Sequence, residues 1–126
     1  MQLHDFLGRV QQRANIQSQD EALSVIRTTF ETLSERLQGG EPLDLAAQLP
    51  SMLQEFVDVG EGERFGVEEF IQRIAEQEGI SEEQAREQAS AVLEVTSEAV
   101  SRGEIEDVLL QLPQEYHGLF GRGLKH

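Results

Sequence analysis

The segment Gly40-Glu41-Pro42-Leu43-Asp44-Leu45-Ala46-Ala47-Gln48-Leu49-Pro50 returns 63 residues later as Gly103-Glu104-Ile105-Glu106-Asp107-Val108-Leu109-Leu110-Gln111-Leu112-Pro113. The frame Gly-Glu-x-x-Asp-x-x-x-Gln-Leu-Pro keeps all six of its named residues in both copies. Working outward, residues 22–57 align onto 85–120 without a gap. Ala22/Ala85, Glu31/Glu94, Ser34/Ser97 and Glu35/Glu98 add further identities. Upstream, one extra residue shifts the offset to 64, and Phe6/Phe70, Arg9/Arg73 and Ile16/Ile80 then coincide. Order of this kind over most of a chain is the signature of a duplicated structural unit.

Each unit reads as helical. Apolar residues recur at three- and four-residue spacing, and period-two alternation is scarce. Leu3, Phe6, Leu7, Val10 and Ala14 mark one helical face over about residues 2–14. Ser18, with Glu21 three residues on, reads as a capping box that opens a long helix carrying Ala22, Ile26, Phe30, Leu33 and Leu37. Gly39-Gly40 is expected to end it through a left-handed C′ residue. Pro42 suits the first turn of a short helix. Leu49-Pro50 breaks that helix, because proline pushes its predecessor out of helical angles. Another short helix, with Leu53, Phe56 and Val57, follows.

After Gly60-Glu61-Gly62-Glu63-Arg64 the order repeats. Val67, Phe70, Ile71 and Ile74 lead to Gly79, Ser81 and Gln84 form the second capping box, and a long helix runs from Ala85 towards Gly103. Ile105, Val108 and Leu109 then lie before the break at Pro113. The expectation is an all-α chain forming one domain over 1–126. Two tandem four-helix repeats, about 1–59 and 65–120 with a linker at about 60–64, would pack as a helical bundle with pseudo-twofold symmetry.

Phe6-x-x-Arg9-Val10 at the opening, an alanine-containing long helix and Leu45-Ala46-Ala47-Gln48-Leu49-Pro50 together resemble the bacterial DUF2267 family. So does the closing stretch Gln111-Leu112-Pro113-Gln114-Glu115-Tyr116-His117-Gly118-Leu119-Phe120. The resemblance spans nearly the whole chain, and the two Gln-Leu-Pro segments are its most specific part. It implies a fold and brings no activity with it.

Charge narrows the partners. Ten basic and 24 acidic residues leave a net charge of −14. The excess is even: residues 1–63 and 64–126 each carry −7. A field of that sign repels nucleic-acid phosphates and anionic headgroups, so neither nucleic acid nor membrane is an expected partner. The N-terminus carries no basic or apolar leader pattern, and no apolar run approaches bilayer length, so a cytoplasmic location is expected. With no cysteine, thiolate catalysis, zinc–thiolate sites and iron–sulfur clusters are excluded.

The chemistry-bearing residues form no recognisable catalytic set. The histidines are His4, His117 and His126, and no Glu-x-x-His or His-Glu-x-x-His spacing places two ligands on one helical face. Glu115 and His117, two apart, point to different sides of a helix. Glu41/Asp44 and Glu104/Asp107 sit at starts of short helices, where carboxylates cap free amides and suit the helix dipole. Neither segment has the alternating oxygen ligands of a calcium loop. No Gly-x-Ser-x-Gly elbow is present, and the one lysine, Lys125, lies in a glycine-rich end with Gly118, Gly121 and Gly123. No enzyme activity, cofactor or metal is therefore expected.

The duplicated Gln-Leu-Pro segment offers the one candidate site. Leu49 and Leu112 are expected to plug the core while Gln48 and Gln111 bind carbonyls freed at the proline breaks. The functional alternative is a partner groove built from Gln48, Leu49, Pro50, Gln111, Leu112, Pro113, Tyr116 and His117. On this reading the chain is a non-catalytic protein–protein interaction module, engaging a protein partner or a second copy of itself. The second reading is a small-ligand-binding sensor with a pocket between the two repeats.

Overall fold

The computed structural model describes residues 1–121; the expectations placed on Gly123, Lys125 and His126 lie outside the described residues. Its helices are α1 (Leu3–Ala14), α2 (Gln19–Arg36), α3 (Glu41–Ala46), α4 (Ser51–Gln54), α5 (Val67–Glu78), α6 (Glu82–Ala99) and α7 (Arg102–Leu110). A closing 3₁₀ helix spans Gln114–Phe120. The chain is thus mostly helical, as the apolar spacing predicts.

Local chemistry accounts for most boundaries. Ser18 and Ser81 accept the amides of Glu21 and Gln84, and at Ser81 the Gln84 side chain returns the bond to complete the box. Gly79, at φ 70°, closes α5 in the left-handed conformation that glycine adopts without steric cost. Two boundaries differ from the sequence reading. The long helix α2 stops at Arg36 with Leu37 extended, so Gly39-Gly40 does not cap it. Gly39 instead lies in a two-residue strand, β1 (Gln38–Gly39), paired antiparallel with β2 (Gly60–Glu61). Likewise α6 stops at Ala99 with Val100 extended, and Gly103 falls in the first turn of α7 behind the Ser101 cap. In both places an extended apolar residue, Leu37 or Val100, ends the helix by turning inward.

The β1–β2 pairing explains why the segment after α4 is rich in glycine. A Cβ on Gly60 would stand 2.3 Å from the Leu37 carbonyl oxygen, so only glycine lets the two backbones approach. The expected linker is therefore tied to the end of α2.

Packing joins the halves of the chain. α1 lies chiefly against α6, while α5 packs on both α6 and α2. Phe6 of α1 and Phe30 of α2 meet at 6.4 Å between ring centres, and Phe70 of α5 meets Tyr116 edge-on at 5.5 Å. Each of these rings is buried, and one contiguous apolar cluster runs from Phe6 to Phe120. On the surface Arg9 pairs with Glu98 and Arg73 with Glu35, both at 2.8 Å. Each bond ties a helix of one half to the long helix of the other.

Candidate functional site at the seam

The two Gln-Leu-Pro segments face the junction between the halves. Leu49 and Leu112 are buried, as the core-plug reading requires. The glutamines act differently from expectation: they bind amides rather than carbonyls. Gln48 Oε1 accepts the amide of Ser101 at 2.7 Å, and Gln111 Oε1 accepts the amide of Gln38 at 2.9 Å. Both acceptors reach across to the other half. The reason lies in the helix ends described above: extended Leu37 and Val100 leave the next amide outside any helical ladder, and a carboxamide oxygen satisfies it.

The remaining groove candidates divide by burial. Pro50 is half-buried and Pro113 exposed. Tyr116 is wholly buried, with its hydroxyl donating to the Phe65 carbonyl at 2.7 Å, and burial pushes the phenol up to about 12. His117 donates through Nε2 to the Leu109 carbonyl at 3.1 Å, since a carbonyl can only accept. Those two side chains fasten the closing 3₁₀ helix to the body.

Two arrangements at the seam have no sequence signal. In the first, the packing of α3 on α7 brings Glu41 onto Glu104. Oxygens of Glu41, Glu104 and Asp107 lie within 4.8 Å of one another. One carboxylate oxygen of each glutamate is buried without a hydrogen-bond partner, so these side chains do not act as the amide caps expected for them. The amide of Glu104 is capped by Ser101 Oγ instead. Burial, then the Glu41 carboxyl beside it, then Asp44 and Asp107, push the Glu104 carboxyl up to about 8. At neutral pH the group shares its site by holding a proton. Among the described residues the same three side chains form the group that could share a divalent cation, and three ligands fall short of the six or more oxygens such ions take.

In the second arrangement, a cavity of about 360 Å³ is lined by Arg36, Gln38, Arg64, Leu110 and Gln111. It sits on the seam, drawing on the end of α2, the segment before α5 and the end of α7. Its lining contains no acidic residue, whereas the cavities lined by Arg13 with Glu94 and Glu98, and by Arg73 with Glu31, Glu35 and Glu76, are acidic. Arg36 is held in place: Nε donates to the Phe65 carbonyl at 2.8 Å and the guanidinium lies 5.5 Å from the Tyr116 ring centre. Among the described residues neither Arg36 nor Arg64 has a carboxylate within 4 Å, while Arg9, Arg13, Arg73, Arg86 and Arg102 each do. Leu110, 84% exposed, stands at the rim.

Among the described residues no helix is long and apolar enough to cross a membrane. The family model described as "Uncharacterized conserved protein (DUF2267)" matches residues 3–119. No curated protein matches the chain. The match covers nearly the whole sequence, and the chain belongs to the DUF2267 family.

Proposed function

We propose that this member of the DUF2267 family is a non-catalytic interaction module, built from two pseudo-twofold-related helical units, that takes its protein partner at the seam. The observation that carries this reading is Leu110. Among the described residues it is the most exposed of the large apolar side chains, and it borders a cavity free of acidic side chains on a chain of net charge −14. An isolated apolar anchor beside fixed donors is how a small recognition surface combines affinity with orientation. Both seam glutamines are engaged in backbone bonds, and among the described residues no seam hydroxyl is hydrogen-bonded to a histidine or carboxylate, which favours binding over turnover.

The two units are supported by matching chemistry at matching positions: Arg9–Glu98 with Arg73–Glu35, and Gln48–Ser101 with Gln111–Gln38. Affinity capture from a native lysate, wild type against Leu110→Asp, tests the interaction. Proteins retained by the wild type and lost by a folded variant support it. Equal retention by both removes the seam as the binding face.

A small-ligand sensor is the second reading, favoured by the seam cavity itself. Thermal stabilisation by a small molecule, with no protein retained, would select it.

A further inference from the structure

We infer that the seam cavity is a binding site for a compact oxyanion, a carboxylate or phosphate group carrying one or two charges, held by Arg36 and Arg64. The inference rests on the seam being the binding face and adds the chemistry of what enters it. Three observations converge there. Among the described residues Arg9, Arg13, Arg73, Arg86 and Arg102 each pair with a carboxylate, and Arg27, which has no such pair, lies over the Phe56 ring at 5.3 Å. Arg36 and Arg64 lack such partners among the described residues, yet line one space. Glu115, whose carboxylate would lie 3.0 Å from a Cβ on Gly66, makes no ion pair with Arg36 within 4 Å.

Arg36 is also preorganised. Its Nε bond to the Phe65 carbonyl and its place 5.5 Å from the Tyr116 ring centre hold the guanidinium, so less side-chain freedom remains to be lost when a ligand arrives. Gln111 spends its oxygen on the Gln38 amide, and its Nε2 has no partner among the described residues. The site therefore offers a planar guanidinium, a second, exposed guanidinium and a carboxamide donor, which suits the paired oxygens of a carboxylate or phosphate. Arg is preferred over lysine for such forked recognition, and both cations among the described lining residues are arginines.

Ligand size and charge follow from the surroundings. A volume of about 360 Å³ holds the oxyanion with a few attached carbons, for which Leu110 supplies the apolar contact. The net charge of −14 penalises each further negative charge brought near, so a polyanion is disfavoured while a single anionic group at contact distance is not.

Nuclear magnetic resonance titration of the whole chain with inorganic phosphate, and separately with succinate, tests this through the arginine Nε–H signals. Saturable shifts of the Arg36 and Arg64 signals are expected with at least one of the anions, and Arg64→Gln should weaken them about tenfold. Arg64 makes no bond that holds the fold among the described residues, so that variant stays folded. Arg36→Lys, which keeps charge but loses the fork, should weaken binding as well. A third titration, with a short peptide ending in leucine and a free carboxylate, separates sources. Tighter binding than succinate assigns the anion to a protein partner, and equal or weaker binding assigns it to a free metabolite. No saturable shift with either simple anion, or shifts unchanged in Arg64→Gln, overturns the site. Leu110→Ser, which adds no charge to the cavity, losing protein partners while phosphate binding persists would separate this inference from the interaction reading.

Discussion

Replacing Glu104 by glutamine should stabilise the protein, and only at neutral and alkaline pH. In the folded chain burial and the facing Glu41, Asp44 and Asp107 carboxylates raise the Glu104 carboxyl from 4.5 to about 8. A group whose pKa is raised on folding costs nothing while it is protonated in both states, below about pH 4.5. The cost then grows as pH climbs towards 8, where the unfolded chain gains from ionising and the folded chain does not, and it is constant above. Taken whole, the shift corresponds to about 5 kcal/mol. Glu104 is half-buried rather than enclosed, and solvent screening reduces the expected effect to about 1–2 kcal/mol.

Glutamine keeps the shape and removes the charge. Urea melts followed by circular dichroism should therefore show Glu104→Gln more stable than wild type by about 1–2 kcal/mol at pH 8.5 and equal to it near pH 5. Glu106→Gln, exposed on the same helix and outside the cluster, removes the same formal charge and should change stability by less than about 0.5 kcal/mol. A gain of equal size at both pH values would mean that net charge, not the meeting of Glu41 with Glu104, is responsible. A loss at pH 8.5 would refute the reasoning, because the ionised carboxylate would then be a useful partner.

Opposite pH behaviour is expected at Glu98: burial opposes its charge, but hydrogen bonds from Arg13 and Arg9 outweigh this and hold its carboxyl below the usual range. Its contribution is present above about pH 4.5 and lost as pH falls through the lowered value, and Glu98→Gln should cost about 0.5–1 kcal/mol at pH 7 in the same melts, the pair being partly exposed. Phe30→Ala, which empties a site 1% exposed beside Phe6, should cost about 3–5 kcal/mol, and a loss under about 1 kcal/mol would contradict the assigned core. Gly60→Ala should destabilise by about 1–3 kcal/mol because its Cβ meets the Leu37 carbonyl, whereas Gly8→Ala, in open space on α1, should stabilise by up to about 1 kcal/mol; thermal melts of the two variants check the signs. Pro50→Ala and Pro113→Ala should each cost less than about 1 kcal/mol and agree with one another, a large asymmetry counting against equivalent roles for the two breaks.

The sequence carried the helices because their signals are local. A stripe such as Phe6-Leu7-Val10-Ala14 repeats within one helix, and the Ser18 and Ser81 caps act over three residues. Where two segments compete for one glycine, local reading fails: Gly39 looks like a helix stop, but a strand partner at Gly60 captures it. Glu41 and Glu104 illustrate a second limit. Each alone is an ordinary first-turn carboxylate, and only the packing of α3 on α7 forces them together. The Gln-Leu-Pro repeat leads to segments that the fold brings to the seam, yet which atoms the glutamines bind depends on extended Leu37 and Val100, whose conformation no periodicity reveals. Arg36 and Arg64 carry no sequence signal, since an unpaired arginine is defined by carboxylates that are far away in space and not by any neighbour in sequence.

The seam is best tested as an interaction surface by placing a photo-crosslinking amino acid at position 110 and, as a control, at the exposed position of Glu83 on α6, in the protein's own cells. A discrete protein adduct from position 110 and none from position 83 is the predicted result. Adducts of the same pattern from both positions, or none from position 110, would contradict it.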